Sequence, residues 1–193
     1  ILFDKNKTTL ICCPPTKQGE FSVPKNVTRI GSDAFSYCDL LTGITLPETV
    51  SYIGSGAFKY CSALKNINLP YGIEAINKNT FISCSALEKI DIPNSVKIIG
   101  TSVFLNCSAL SSINIPESVT QIGNNAFYNC NSLQFAILPE NLSTISARTF
   151  SRCSSLTTIN IPDGVTEIGE AAFWGCTVLN NVMIPVSVTA IGI

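Results

Sequence analysis

The chain has 193 residues and a formal net charge of −1 at pH 7, with 46% hydrophobic and 13% charged residues. A chain of this length supports a substantial core, whereas a charge so close to zero gives no field to attract nucleic acid or an acidic membrane surface. Charged residues are about half as frequent as usual and no apolar run approaches the ~18 residues of a membrane-spanning helix, so we expect no membrane insertion and a surface rich in Ser, Thr and Asn.

The first predicted element is a short N-terminal segment, residues 1–23, that does not follow the pattern of the rest of the chain. Leu10–Cys12 form an apolar strand that ends before Pro14–Pro15, and Phe21 and Val23 resemble the end of a repeat. We predict a hairpin that covers the first coil of a stack, because an uncovered coil end is both an apolar patch and a free sheet edge.

Residues 24–184 repeat a pattern of 23 residues seven times without an insertion. Each copy places a phenylalanine three residues before a cysteine, and the phenylalanines are Phe35, Phe58, Phe81, Phe104, Phe127, Phe150 and Phe173. The matching cysteines are Cys38, Cys61, Cys84, Cys107, Cys130, Cys153 and Cys176. A period this strict predicts stacked coils, with equivalent phenylalanines within ~6 Å of each other at the spacing of paired strands. We expect residues 185–193 to be the truncated start of an eighth copy.

Each copy reads Pro-x-x-Val-x-x-Ile-Gly-x-x-Ala-Phe-x-x-Cys-x-x-Leu-x-x-Ile-x-Ile/Leu. The last six positions alternate as a strand does, and the next proline ends that strand because it cannot donate to a sheet ladder. Val-x-x-Ile-Gly predicts a second short strand or bend, and Ala-Phe-x-x-Cys predicts one helical turn. The predicted fold is a right-handed, curved solenoid of about seven coils, with a parallel β-sheet of short strands joined by helical turns.

A glycine recurs where we predict a turn with positive φ, which glycine adopts without steric cost; it is Gly31, Gly54, Gly100, Gly123, Gly169 and Gly192. Asn77 takes this place in the third copy and Ser146 in the sixth, and serine tolerates positive φ less well than asparagine. Other departures from the repeat are Ala136, Thr80, Val103 and Thr149. We expect the departures to alter local geometry and not the fold.

The repeated motif from Pro24 to Ile184 resembles the BspA-type leucine-rich repeat, a 23-residue variety, and covers about five-sixths of the chain. The segment Leu2–Val23 is similar to inserts that separate repeat arrays in such proteins. The resemblance implies a leucine-rich-repeat solenoid located at the cell surface or secreted. It also implies adhesion to host extracellular matrix or to another cell, with no catalytic motif to carry over.

The chain has nine cysteines and no histidine. Without histidine no Ser-His or Cys-His nucleophile can form, so we predict no enzyme activity and no cofactor. One thiol per coil cannot converge on a metal ion. Neighbouring thiols lie within reach of a disulfide, but free cysteine also packs as a small apolar group, and we predict a buried, reduced ladder. In the pair Cys12–Cys13, strand alternation should expose one thiol.

The outward positions of the predicted sheet are the first candidate binding surface. In the final strand of each copy, the residues on both sides of the central isoleucine should point outward, and most of them are small and polar. The candidates on this face are Phe135, Ile137, Asn114, Asn160, Asn68, Asp91, Lys89 and Met183. Exposed apolar groups often mark contact sites. The alternatives are a plain solvated face, or a shifted register at Phe135 and Ile137 caused by Ala136.

A ridge beside the predicted helical turns is the alternative surface, because aromatic residues are enriched at interfaces; it carries Tyr37, Tyr60, Tyr128 and Trp174, with Ile82 and Leu105 between them. Partial packing of each side chain against the next coil is the alternative explanation. We expect a cell-surface or secreted adhesion module that binds a protein or a glycan through the sheet face. A structural spacer or, less readily, an intracellular scaffold would also fit the repeat.

Overall fold

The computed structural model describes residues 1–192, and within that range it contains sixteen short strands and no helix. In chain order the strands are β1 (Leu2–Phe3), β2 (Thr9–Cys12), β3 (Gly19–Ser22), β4 (Arg29–Ile30), β5 (Leu41–Thr45), β6 (Tyr52–Ile53), β7 (Asn66–Ile67), β8 (Ala75–Ile76), β9 (Ile98–Ile99), β10 (Ser112–Asn114), β11 (Gln121–Ile122), β12 (Phe135–Ile137), β13 (Thr144–Ile145), β14 (Thr158–Ile159), β15 (Glu167–Ile168) and β16 (Ala190–Ile191).

The strands pair across successive coils, which we number from their prolines, so that coil 1 begins at Pro24 and coil 7 at Pro162. One column, the sheet face, contains β3, β5 and β7 and then β10, β12 and β14. A second column, the edge column, contains β4, β6, β8, β9, β11, β13, β15 and β16. Pairing between repeats is parallel and in register, as in Ser112 beside Phe135 beside Thr158. The predicted parallel-sheet solenoid is confirmed.

The N-terminal segment adds strands to both columns ahead of coil 1. Strands β1 and β2 form an antiparallel hairpin, β2 then pairs with β4 in parallel, and β3 pairs with β5 in parallel. Asp4 holds the hairpin turn, because its Oδ1 accepts the backbone N–H groups of Thr8 at 2.7 Å and Thr9 at 2.8 Å. These hydrogen bonds favour the ionised carboxylate and lower the pKa of Asp4.

The repeated phenylalanines form a continuous spine in the core. Neighbouring rings from Phe35 to Phe173 lie 5.2 to 5.8 Å apart between centroids and stack nearly parallel. The six rings from Phe35 to Phe150 are fully buried, whereas Phe173 is only partly buried. The predicted spacing of less than ~6 Å between spine residues is therefore confirmed.

The predicted helical turn at Ala-Phe-x-x-Cys is wrong. Around each spine phenylalanine, alternate backbone N–H groups donate to the next coil instead of to their own chain segment, as Phe35 does to Ala57 at 2.7 Å and Tyr37 to Lys59 at 2.9 Å. Backbone φ is positive two residues before and two residues after the phenylalanine, for example at Asp33 (57°) and Tyr37 (60°). Left-handed residues at both places interrupt any helical turn.

The repeated glycine is also required for a different reason from the one predicted. Positive φ falls on the two positions that flank the spine residue, and glycines such as Gly123 do not have it. A Cβ at Gly123 would instead lie 2.6 Å from the backbone nitrogen of Thr101 in the preceding coil. The glycine therefore permits two coils to approach closely, and its N–H donates to the carbonyl of Ile99 at 2.8 Å.

Coils 3 and 6 lack this glycine, and the edge column is interrupted before each of them. No ladder joins β6 to β8 or β11 to β13 within the described residues. In coil 3 the side-chain Nδ2 of Asn77 donates to the carbonyl of Ile53 at 2.6 Å, which takes over the bond that a glycine N–H makes elsewhere. The Ser146 hydroxyl donates to Ile122 in the same way. The Cβ of Asn77 or Ser146 therefore accompanies the loss of strand pairing, and a side-chain hydrogen bond joins the two coils instead.

The same two coils carry a second linked change in the core. Thr80 and Thr149 replace the usual alanine, and both are buried. The Thr80 hydroxyl donates to the carbonyl of Asn77 at 2.6 Å, and the Thr149 hydroxyl donates to the carbonyl of Ser146 at 2.6 Å. A buried hydroxyl is costly unless it has such a partner. The two departures in each coil thus form one polar unit.

The repeated cysteines form a buried ladder, as predicted, and they also make hydrogen bonds. Each thiol from Cys61 to Cys176 donates to the carbonyl of a spine residue in the preceding coil, as Cys61 does to Phe35 at 3.0 Å and Cys130 to Phe104 at 3.1 Å. All nine cysteines are free, with Cys12 exposed and Cys13 buried. Burial raises the pKa of the ladder thiols, to about 11 at the partly exposed Cys176.

We predict that Phe104→Ala destabilises the stack far more than Phe173→Ala. Phe104 is fully buried between two complete coils, whereas Phe173 is partly exposed. Emptying a well-packed aromatic site costs about 3–5 kcal/mol, and urea unfolding followed by circular dichroism measures the difference. Equal losses at the two positions would show that coil 7 is packed as firmly as coil 4.

We predict that Asn77→Ala is more destabilising than Asn77→Gly. Alanine keeps the Cβ that separates coils 2 and 3 and removes the donor to Ile53, and an unsatisfied buried carbonyl costs about 1–3 kcal/mol. Glycine lets its own N–H reach that carbonyl, as Gly54 does to Ile30 at 2.9 Å. Thermal unfolding of the two variants decides the order, and a less stable glycine variant would contradict this account.

We predict that a thiol reagent at pH 8 modifies about one cysteine in the native protein and all nine after denaturation without reductant. Raised pKa values and burial keep the ladder thiols protonated and shielded. Cys12→Ser should abolish the native reaction, because Cys12 is the exposed cysteine. Three or fewer free thiols in denaturant would mean that disulfides join the coils.

Candidate binding surfaces

The sheet face exposes two large apolar side chains on one strand. In β12, Phe135 is 45% and Ile137 is 54% exposed, while Ala136 between them is 5% exposed. Ala136 pairs in register with Ile113 and Ile159, which are core residues. The register is therefore unshifted, and the small Ala136 side chain fills the core position.

Polar and apolar neighbours surround these two residues, and we call Phe135, Ile137 and Met183 the apolar patch. Asn114 lies beside Ile137 in register, and Asn160 is exposed on coil 6. Met183 continues the same column on coil 7 and is 85% exposed. The apolar patch thus extends over coils 5 to 7, with Asn160 between Ile137 and Met183 in this column and Asn114 on the other side of Ile137.

The sheet face changes character near coil 3. Lys89 and Asp91 are exposed there, but no strand forms around them, so the face is interrupted between β7 and β10. These two side chains, with Glu20 and Asn68, line a concavity of about 370 Å³. The amide of Asn68 is not free, because it accepts from the N–H of Leu46 and donates to its carbonyl, both at 2.8 Å. Asn68 therefore closes the end of a strand.

The aromatic ridge divides into two columns. Tyr37 and Tyr60 lie two residues after their spine phenylalanines, and their rings stack at 4.6 Å and 13°. Tyr128 and Trp174 lie one residue after theirs, as do the half-buried Ile82 and Leu105. The predicted single ridge is therefore two separate surfaces.

Arg152 packs against the second surface, which carries Tyr128 and Trp174. The Arg152 guanidinium lies 5.8 Å from the ring centroid of Tyr128 and 5.0 Å from that of Trp174. It fills the space between coils 5 and 7, where Ser151 is too small to do so. Cation–π contacts of this kind are stabilising, so Tyr128 and Trp174 already have a partner within the chain.

A trough beside Tyr60 was not predicted from the sequence. It has a volume of about 470 Å³ and is lined only by Tyr, Asp, Ser and Asn residues. Its floor follows the position two residues after the spine phenylalanine, which is tyrosine in coils 1 and 2 and then becomes Ser83, Asn106 and Asn129. This change from large to small side chains is the sequence signal that could have indicated the trough.

The charges on these surfaces are few, and some of them form ion pairs. Lys59 lies 3.1 Å from Asp33, and Arg148 pairs with Glu170. In residues 1–192 no cluster of His, Cys, Asp and Glu could hold a metal ion. The described part of the chain includes no helix long and apolar enough to cross a membrane.

Comparison with known proteins gives a consistent picture of the fold. A leucine-rich repeat protein from Bacteroides ovatus is 36% identical, with a TM-score of 0.88 over 90% of this chain and 47% of its own. A leucine-rich repeat protein from T. pallidum is 29% identical, with a TM-score of 0.84 over 93% of this chain and 86% of its own. The chain spans about half the length of the Bacteroides ovatus protein. No curated protein sequence matches the chain.

The repeat sequence itself decides the family. The profile of the BspA type leucine-rich repeat region matches residues 12–134 and 97–193, with six copies of the repeat. Together these matches span nearly the whole chain, including every coil that carries the phenylalanine and cysteine ladders. The chain therefore belongs to the BspA type leucine-rich repeat family.

Proposed function

We propose that this chain is a non-enzymatic recognition module, displayed at the cell surface or secreted, that binds a protein ligand through the sheet face. The observation that carries the proposal is the apolar patch on a face whose other outward positions are mostly small and polar. Large exposed apolar side chains that lie together on a soluble protein mark contact sites.

The patch has the composition of an interface centre. Binding energy at protein interfaces concentrates in a few large side chains that become fully desolvated, and Phe135 and Ile137 are such side chains. The exposed amides of Asn114 and Asn160 supply polar groups on both sides of Ile137. Because β12 is paired on both sides, the backbone that carries Phe135 and Ile137 is held rigidly, which reduces the entropy lost on binding.

The family resemblance supports the proposed location and the proposed kind of ligand. Related repeats occur in surface proteins, so a protein of the host extracellular matrix or of another cell is the ligand that we propose. Catalysis has little support, because the ladder thiols are buried with raised pKa values and the chain has no histidine.

The double variant Phe135→Ser and Ile137→Ser should weaken binding to matrix proteins or host cells at least tenfold, a loss of about 1.4 kcal/mol. The fold should be unchanged, since both side chains point outward. The matched control is Tyr128→Ser with Trp174→Ser, in the second column of the aromatic ridge. Binding is measured by surface plasmon resonance on immobilised matrix proteins and by attachment to host cells.

The outcomes separate the alternatives. If the ridge control abolishes binding and the sheet-face variant does not, the binding surface is the ridge. If the intact chain binds none of these ligands, the proposal fails and a structural spacer, which holds other domains away from the cell, accounts for the repeat better.

A further inference from the structure

The column two residues after the spine phenylalanine has an unusual backbone conformation in every coil. Its φ lies between 60° and 78°, a region that glycine and asparagine tolerate best. Coils 4, 5 and 7 carry Asn106, Asn129 and Gly175 there, as this preference predicts. Tyr37 and Tyr60 occupy the same conformation, although bulky residues adopt it only at a cost. Two tyrosines at strained, exposed positions call for an explanation outside the core.

The stacking of the tyrosines leaves one ring face free. Tyr37 and Tyr60 occupy equivalent positions on adjacent coils, and their nearly parallel rings are 4.6 Å apart. The ring normals therefore run roughly along the axis of the stack. One face of Tyr60 is covered by Tyr37, and the other faces coil 3, where Ser83 replaces the next tyrosine. The trough runs past this face, from Tyr37 and Asp39 on coil 1 to Asn129 on coil 5.

A chain of hydrogen bonds on the trough floor runs toward Tyr60. The Nδ2 of Asn129 donates to Oδ1 of Asn106 at 2.9 Å, and the Nδ2 of Asn106 donates to Oγ of Ser83 at 3.3 Å. Since the Ser83 hydroxyl accepts from Asn106, its own proton is available, and it has no acceptor within the described part of the chain. Successive bonds polarise one another, so this hydroxyl is an oriented donor beside an aromatic face.

A second row of hydroxyls presents acceptors along the same trough. The Ser85 hydroxyl donates to the carbonyl of Ser62 at 3.3 Å, and the Ser108 hydroxyl donates to that of Ser85 at 3.3 Å. With their protons committed to the backbone, these oxygens keep lone pairs for a ligand O–H. No Lys or Arg lines the trough, which disfavours phosphate, sulfate or carboxylate ligands.

We propose that this trough binds the ring of a neutral hexopyranose, stacked on Tyr60 and hydrogen-bonded by Ser83 and Ser85. A pyranose has an apolar C–H face that suits an aromatic ring and a rim of hydroxyls that both donate and accept. The volume of about 470 Å³ is in the range of small-molecule sites. An aromatic or aliphatic ligand would leave the Ser83 donor unpaired, which is unfavourable in a contact from which water is displaced.

The other end of the ridge shows why the site is at Tyr60. Arg152 stands in the same column with a φ of 61°, but its guanidinium packs against Tyr128 and Trp174. There the chain covers its own aromatic faces. Within residues 1–192, only at coil 2 does a stacked ring end beside small polar residues.

The test measures the binding of methyl hexopyranosides (gluco, galacto, manno and N-acetylglucosamine) by saturation-transfer NMR. We expect at least one glycoside to bind the purified chain. Tyr60→Gly should weaken binding at least tenfold, while the fold is kept, since glycine suits a φ of 61° at this position. Ser83→Ala should also weaken binding. Arg152→Gly is the matched control, because it makes the same change in the same column, and it should bind as the wild type does.

Any other pattern overturns the proposal. The decisive failures are no saturation transfer from any glycoside, a loss of less than tenfold in Tyr60→Gly, or an equal loss in Arg152→Gly. Thermal unfolding of each variant verifies that the coil remains folded. The result is independent of the sheet face, because the trough and the apolar patch share no residue.

Discussion

Each coil of this solenoid satisfies its backbone and buried polar groups through the coils beside it. The two strand columns, the outgoing N–H groups around the spine phenylalanine and the thiol donors all link one coil to the next. Because buried N–H and C=O groups must be paired, a coil in isolation would leave many of these groups without a hydrogen-bond partner in the chain. This constraint requires successive coils to match in length, which explains why no copy carries an insertion.

The departures that do occur keep the hydrogen bonds between coils. Asn77 and Ser146 lose the close approach that glycine permits, yet their side chains donate to the same carbonyls. Outward side chains need not make these bonds, and one outward column contains tyrosine, serine, asparagine, arginine and glycine. The core thus restricts sequence strongly, while the outer surfaces are left free to carry recognition, as on the apolar patch and beside Tyr60.

The 23-residue period predicts which residues lie together in the stack, but it says less about the backbone conformation of each coil. The phenylalanine spine and the buried thiols follow from spacing alone, because a solenoid places equivalent residues together. The outward register of Phe135 and Ile137 stays open in the sequence, since Ala136 also allows a shifted register. The role of Gly123 and the absence of a helical turn do not follow from spacing. Both depend on whether a backbone N–H donates to its own chain segment or to a neighbouring coil. The sequence predicts one aromatic ridge because its two columns differ by a single position. The positive φ of the second position after the phenylalanine separates the two columns in space.

The interrupted edge column has a consequence for how the stack comes apart. In a linear array each coil is coupled only to its neighbours, so the weakest junction decides where cooperativity ends. Between coils 2 and 3 both strand columns are broken, whereas between coils 5 and 6 β12 and β14 still pair across the sheet face. The junction between coils 2 and 3 is held by the N–H groups around Phe58, by the Cys84 thiol and by Asn77, so we expect fraying that starts at the N-terminal coils to stop at Asn77.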